Sequence, residues 1–344
     1  MSLKPLNHVH IIGTGLMGTS IALAAKKADL KVTLEDNSAS NFDLAQALGA
    51  GEVLSNSDSV DLVVVCVAPA DTAKTVATAL QRFDSATVTE ITSVKQPVFS
   101  ELAEMKVNLA NFVSSHPMTG SEKSGPWSAD AEIFIGKPWL VISGAADLPV
   151  GRIAELVEAV GSSIEYLNVQ EHDSLIAKVS HLPQLLATIL AQQVEQPELK
   201  LSGRGFQDMT RLAGSDSKLW SEIIKSNEAH VLTALKLFQA DLSKAIQIIE
   251  TDPEKIQAIL IEGKNASIST NSVSGPLTKI KAELVDGEGV LGDFLSSLRK
   301  LEFVRDLKII DDHNSKRIVE ILLPEGDISK LTQAISGSLV KWVN

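Results

Sequence analysis

The run Gly13-Thr14-Gly15-Leu16-Met17-Gly18 is a G-x-G-x-x-G turn set between a β-branched stretch, Val9 to Ile12, and a helical stretch, Thr19 to Lys27. In that setting the first glycine permits the tight turn, the second lets backbone approach a pyrophosphate, and the third lets helix and strand pack closely. The phosphates would then sit over the N-terminus of the helix that the turn opens, where free N–H groups and the dipole favour anions, and Leu16 and Met17 in the turn are further candidate cofactor contacts. Glu35 ends the second β-run 17 positions past Gly18, where a carboxylate accepts ribose hydroxyls and repels the extra phosphate of NADP. No Arg or Lys lies between Val32 and Lys74, so the expected cofactor is NAD, with Val67 and Ala68 completing its lining.

Seven histidines are present, and two stand out. His116 follows the run Phe112 to Ser115 and opens the polar segment His116-Pro117-Met118-Thr119-Gly120-Ser121-Glu122, at the carboxyl end of a strand, where open α/β sheets place ligands. An imidazole there has a suitable pKa for general-base work near neutral pH. His181 lies in a helical stretch just before Pro183, which would kink the helix and free backbone groups. His8, His10, His172, His230 and His313 sit in contexts that read as packing or solvated surface, and Cys66 as core packing.

These residues need a scaffold. Val9 to about Asn168 alternates β-runs with helical stretches, the pattern of a doubly wound parallel sheet of Rossmann type. The runs are Val9 to Ile12, Lys31 to Glu35, Leu62 to Val67, Thr87 to Ile91, Phe112 to Ser115, Trp139 to Ser143 and Ile164 to Leu167. Long 3.6-period stretches follow, from Glu171 to Val194, Asp216 to Glu250 and Pro253 to Ser267, and predict an all-helical second domain that packs against a partner chain. After a Ser/Asn-rich linker, Ser267 to Ser274, the order from Thr278 is βαββα, a small α+β unit. The expected domains are 1–168, 169–270 and 275–344.

Composition narrows the partners. The chain has 344 residues, 44% hydrophobic and 22% charged, which excludes global disorder. A net charge of −12 and 4% aromatics argue against nucleic acid or an anionic membrane as partner. One cysteine excludes an internal disulfide and a cysteine zinc site. The longest apolar run, Leu62 to Ala70, is far short of the roughly 20 residues that cross a bilayer, and the N-terminus has no secretory pattern, so a cytoplasmic protein is expected.

Thr92-Ser93-Val94-Lys95, Ser115 to Gly125, Ser180-His181-Leu182-Pro183 and Gly205-Phe206-Gln207-Asp208-Met209-Thr210-Arg211-Leu212-Ala213, followed by Trp220, resemble the prephenate and arogenate dehydrogenases of tyrosine biosynthesis. With the glycine turn, the motifs extend over roughly 210 residues. The resemblance implies NAD-dependent oxidative decarboxylation of prephenate, with arogenate as the alternative substrate. It implies His116 as base, Ser93 as a hydrogen-bond partner of the substrate hydroxyl or of the histidine, and Arg211 as the cation that grips a substrate carboxylate. Ser93 also reads as the N-cap of a helix from Lys95 to Glu104. His181 matches the first histidine of the family's His-Leu-Pro-His segment, and Gln184 replaces the second. Thr119 and Gly120 join the substrate loop, Lys123 and Arg204 are weaker cations, and Glu122 is a candidate partner for the ammonium of arogenate.

The C-terminal βαββα order, with Asp286-Gly287-Glu288-Gly289 after its first strand, resembles an ACT domain and implies tyrosine as a feedback ligand, often bound across a homodimer. Two other readings compete. A 3-hydroxyacid dehydrogenase also pairs an NAD domain with helices, but fits the His116 and Arg211 motifs poorly. A non-catalytic NAD-binding protein would have no need of Ser93, His116 and Arg211 together.

Overall fold

A computed structural model describes residues 5–121, 123–271, 277–285, 290–298, 301, 304, 306–311, 317–324, 328–335 and 340–343. The chain forms two compact units, Met1–Asp241 and Leu242–Asn344. The division falls inside a long helix, whereas the sequence pattern places its boundaries near 168 and 270.

The first unit begins with β1 (His8–Ile12), α1 (Leu16–Lys27), β2 (Lys31–Glu35), α2 (Ala39–Ala47), a two-residue β3 (Glu52–Val53), β4 (Leu62–Val65) and α3 (Pro69–Arg82). It continues with β5 (Thr87–Glu90), α4 (Gln96–Glu104), β6 (Phe112–Pro117), β7 (Pro138–Ile142), α5 (Asp147–Ala159) and β8 (Ser163–Leu167). One eight-stranded sheet results, in the order β3-β2-β1-β4-β5-β6-β7-β8. β1 lies between β2 and β4, so the winding reverses beside the glycine turn, where α/β sheets leave a ligand crevice. The β-run of β4 explains the layering: Leu62 and Val64 pack into the core on one face, and Val63 and Val65 into the core on the other. The expected parallel sheet needs a correction at one edge. β7 runs antiparallel to β6, with His116 opposite Leu140 and Pro117 opposite Trp139. His116 therefore lies inside the strand rather than after it.

Helices complete this unit: α6 (Val169–Ile176), a π turn (Ala177–His181), α7 (Leu182–Ala191), α8 (Gln196–Leu199), α9 (Arg204–Thr210), a 3-10 turn (Arg211–Gly214) and α10 (Ser217–Ser226). α11 (Glu228–Thr251) begins here and ends in the second unit. The expected helix from Asp216 to Glu250 is thus two, parted at Asn227, whose side chain turns inward to hydrogen-bond the Asp173 carbonyl at 2.8 Å. The π turn stands just ahead of Pro183, which has no N–H to continue the ordinary ladder. Val169–Ala191, 23 residues, is by length and composition able to cross a membrane, since it holds an 18-residue window of mean hydropathy 1.3, although polar residues interrupt it. It carries buried His172, Asp173 and His181, all hydrogen-bonded within the protein.

The second unit holds the end of α11, α12 (Ile256–Asn271), β9 (Leu277–Leu284), α13 (Val290–Leu298), β10 (Asp306–Asp311), β11 (Arg317–Pro324), α14 (Ile328–Ala334) and β12 (Val340–Val343). α12 runs through much of the segment expected to be a linker. The four strands form an antiparallel sheet in the order β10-β11-β9-β12, so βαββα becomes βαββαβ, the split βαβ arrangement. Ala282, Val319, Ile321, Phe294 and Leu331 form its own core. The glycine-bearing segment 286–289 lies outside the described residues.

Candidate active site

The glycine turn has the shape its sequence requires. Gly13 takes φ +98°, and a Cβ there would stand 2.5 Å from the Cys66 carbonyl oxygen. A Cβ on Gly18 would stand 1.9 Å from the Gly13 carbonyl oxygen. A Cβ on Gly15 would meet nothing within 4 Å, which leaves open space at the start of α1. α1 starts at Leu16, three residues earlier than its pattern suggests, so its first N–H groups border that space. The cavity here measures about 620 Å³ and is lined by Gly13, Gly15, Glu35, Val67 and Ala68, with Lys74 and Arg82 on the same wall. Leu16, Met17 and Gly18 are not among its lining residues. Open backbone at a helix N-terminus, a carboxylate at the end of β2 and a crevice at the winding reversal fit a dinucleotide such as NAD.

Glu35 is not isolated from cations as the sequence suggests. Arg82 comes from the end of α3 and donates from Nη1 to Glu35 Oε2 at 2.5 Å, while His10 Nε2 lies 3.4 Å from the same oxygen. His10, together with Arg82, holds the Glu35 carboxyl at about 2, against the opposing effect of burial. By sequence His10 reads as packing, yet it orients this carboxylate. Asp36 has a separate task, because it accepts hydrogen bonds from Thr14 Oγ1 at 2.8 Å and Ser38 N–H at 2.7 Å and so braces the turn. The Cys66 thiol is pushed upward by burial and then by Glu90, which keeps it protonated.

A second cluster forms where β5, β6, α4 and α6 meet. Glu90 and Lys95 are fully buried and paired at 2.8 Å. The Lys95 ammonium also donates to the Ser115 carbonyl at 2.6 Å, next to His116. Glu90 further accepts from Thr92 N–H at 2.7 Å and from the Ser114 hydroxyl. Asp173 on α6 accepts from the backbone N–H groups of Lys95 and Gln96, both at 2.9 Å, and so caps α4 from a segment 77 residues away. This corrects the expectation for Ser93. α4 starts at Gln96 with Lys95 as its N-cap residue, and no side chain of that residue caps it. Ser93 instead lines a smaller cavity of about 210 Å³ with Pro69, Ala70, Glu222 and Lys225.

His116, half-buried, is 3.0 Å from Nδ1 to His172 Nε2, and His172 Nδ1 is 2.7 Å from Asp173 Oδ1. By sequence His172 reads as a polar-helix histidine with no chemical part, whereas it is fully buried against the expected base. The sequence carries one signal for it: an adjacent His-Asp pair, His172-Asp173, opening a stretch whose later turns are apolar is an expensive pair to bury without a task. Burial first, then the charges of Lys95, His172 and His181, hold His116 well below the ordinary imidazole value. Burial likewise lowers His172, and lowers His181 to about 4.

His181 is buried on the π turn. Its Nδ1 lies 3.3 Å from the Asn227 amide nitrogen, which also donates to the Asp173 carbonyl, while His230 meets Asn227 Oδ1 at 2.9 Å. Nδ1 therefore accepts, Nε2 carries the proton, and that Nε2–H has no partner among the described residues. The His181 and Trp220 rings stand nearly perpendicular, their centroids 5.9 Å apart. Gln184 donates to the Leu212 carbonyl at 2.8 Å, fixing the turn that begins at Arg211, and its buried amide oxygen has no partner among the described residues. Arg211 itself is exposed on that turn. Thr119 donates to the Ile133 carbonyl at 3.0 Å, and Gly120 is exposed. Arg204 pairs with Asp208 at 3.6 Å on the surface, Lys123 is exposed, and Glu122 lies outside the described residues.

Fold and site together define a dehydrogenase with a Rossmann nucleotide domain followed by a helical domain. Residues 21–166 match the family domain described as prephenate dehydrogenase, nucleotide-binding domain, and residues 168–262 match prephenate dehydrogenase, dimerization domain. The cyclohexadienyl dehydrogenase of Zymomonas mobilis is 34% identical over 259 residues, covering 69% of this chain and 86% of that protein. The prephenate dehydrogenase of Lactococcus lactis is 28% identical over 327 residues, covering 88% of each chain, so the likeness runs past residue 262 into the second unit. The crystal structure of prephenate dehydrogenase from A. aeolicus with hydroxyphenyl propionate and NAD+ superposes with a TM-score of 0.70 at 27% identity, over 78% of this chain and 100% of that one. The chain belongs to the prephenate/arogenate dehydrogenase family, and it is an NAD-dependent oxidoreductase.

Proposed function

We propose that the chain catalyses the oxidative decarboxylation of prephenate to 4-hydroxyphenylpyruvate with NAD+, in tyrosine biosynthesis. The observation that carries this reading is the half-buried imidazole of His116 at the carboxyl edge of the sheet, buttressed by a buried histidine, in a chain of this family. Bound NAD+ would supply the hydride acceptor for C4 of the cyclohexadienol. His116, neutral through the working range, takes the proton of the C4 hydroxyl and returns it to the phenolate oxygen once the ring carboxylate has left as CO2. Ser93 hydrogen-bonds the same hydroxyl. Gly13, Gly15, Val67 and Ala68 would cradle the dinucleotide, Leu16 and Met17 would offer it the first N–H groups of α1, Gly18 would let that helix pack against the turn, and Glu35 would take its ribose hydroxyls.

Two carboxylates must be held in a protein of net charge −12. Arg211 supplies the cation, in a planar fork suited to a carboxylate. His181 contributes its unpartnered Nε2–H as a donor to substrate oxygen, with Thr119 and Gly120 on the facing loop. Arogenate is the second reading, favoured by the unpartnered amide oxygen of Gln184, which suits an ammonium better than a ketone.

The enzyme is a homodimer, a reading supported by the apolar side chains Leu242, Ile246 and Ile249, left exposed at helical spacing on α11. The C-terminal βαββαβ unit is an ACT-type regulatory module with tyrosine as feedback ligand. Its support is topology, and titration calorimetry of tyrosine into the full chain tests it, absence of binding being the adverse result.

NADH formation from prephenate and from arogenate, each with NAD+ and with NADP+, tests the main reading. His116→Asn is expected to abolish turnover while calorimetry shows NAD+ still bound. Unchanged turnover removes His116 from the base role.

A further inference from the structure

Along Asp173, His172 and His116 the direction of each hydrogen bond is fixed by the one before it. Asp173 accepts from three N–H groups, those of Lys95, Gln96 and His172. Burial opposes its charge, but the bonds from His172, Gln96 and Lys95 prevail and hold the carboxyl below its ordinary value. A carboxylate can only accept, so His172 Nδ1 must carry a proton. His172 is fully buried and neutral, so its Nε2 is a lone pair. The 3.0 Å contact to His116 Nδ1 is then a hydrogen bond in one direction only, donated by His116. With its single proton on Nδ1, a neutral His116 has its lone pair on Nε2, where no described residue makes a hydrogen bond.

We propose that Asp173 and His172 are positioning residues that lock His116 in the Nδ1–H tautomer, so that Nε2 is always the basic atom. The inference rests on His116 being the base. Asp173 also ties this relay to the backbone of Lys95, whose side chain fixes the carbonyl of Ser115, so ring orientation and main-chain position of His116 are set by the same buried group. In serine proteases, where an aspartate orients the catalytic histidine, its replacement by asparagine drops kcat by about 10⁴ through the wrong tautomer.

Asp173→Asn is the corresponding change here. An amide N–H facing His172 Nδ1 would make that atom an acceptor, move the proton to His172 Nε2, and oblige His116 Nδ1 to accept. His116 would then hold its proton on Nε2 and be useless as a base. Long-range nitrogen–proton NMR on histidine-labelled wild-type enzyme, with His116 assigned by loss of its signals in His116→Asn, reads the tautomer directly. The expected result is Nδ1–H in the wild type and Nε2–H in Asp173→Asn. Turnover in that variant is expected to fall by about 10²–10⁴ with NAD+ affinity and KM changed far less. A wild-type His116 protonated on Nε2, or on both nitrogens at neutral pH, overturns the relay. So does an Asp173→Asn enzyme with wild-type turnover when His116→Asn is inactive. The tautomer readout does not depend on the base assignment, whereas the turnover readout does, so turnover is read together with His116→Asn: the base assignment fails if that variant stays active. The wild-type spectrum decides the tautomer even if Asp173→Asn does not fold.

Discussion

Arg82 and Glu35 are joined at 2.5 Å across the mouth of the nucleotide cavity, although 47 residues separate them in the chain. A pair so placed bears directly on the choice between NAD and NADP. The Arg82 guanidinium lies 4.8 Å from the centroid of the Phe83 ring, and Phe83 in turn packs 5.2 Å from His10, so the cation is built into the wall. While Glu35 holds Arg82, the cavity offers a 2′-phosphate a carboxylate and an occupied arginine.

Glu35→Ser therefore releases Arg82 to a 2′-phosphate. One charge-assisted contact of about 1.5–3 kcal/mol corresponds to a gain in NADP+ affinity of roughly ten- to a hundredfold, with NAD+ affinity reduced. Calorimetric titration of both cofactors measures it, and the double variant Glu35→Ser/Arg82→Ala should lose the gain.

The glycines separate binding from folding. Gly18→Ala places a methyl 1.9 Å from backbone and is expected to lose several kcal/mol of stability, about 3 or more. Gly15→Ala meets no protein atom within 4 Å, so its Tm should match the wild type while NAD+ binding weakens at least about tenfold. Equal effects of the two on Tm would refute the distinction.

Lys95 is a structural cation. Lys95→Met strands Glu90, which is fully buried, and should cost about 3–5 kcal/mol in urea unfolding. Adding Glu90→Gln should recover part of the loss. A single variant as stable as wild type would show that the pair contributes nothing.

Stability should fall on acidification in two stages. His116, His172 and His181 are held low by burial, so the unfolded chain binds more protons once the pH drops below about 6.5. The loss continues down to about 4 for His181. Asp173 and Glu35 contribute stability above about pH 4 that disappears as the pH falls through their depressed values, about 2 for Glu35. Urea unfolding at about pH 5 and about pH 8 should show the first stage as a lower midpoint at the acid value. Because His116 stays neutral below 6.5, the acid limb of kcat/KM should also lie below that value.

Local pattern alone determined much of this protein. The G-x-G-x-x-G turn, the apolar run of β4 and the long helical periodicities depend on neighbours a few residues apart, so the nucleotide fold, the helical region and the prominence of His116 were legible. The reversed β7, the break at Asn227 and the capping of α4 by Asp173 were not, because each depends on a partner distant in sequence. The same holds for the charged groups. Arg82 reaches Glu35 only after α3 has folded against the sheet, and His172 reaches His116 only after α6 has. A polar side chain's role depends on which donors and acceptors surround it once water is removed, and burial at those positions is a property of the whole fold rather than of any window of sequence.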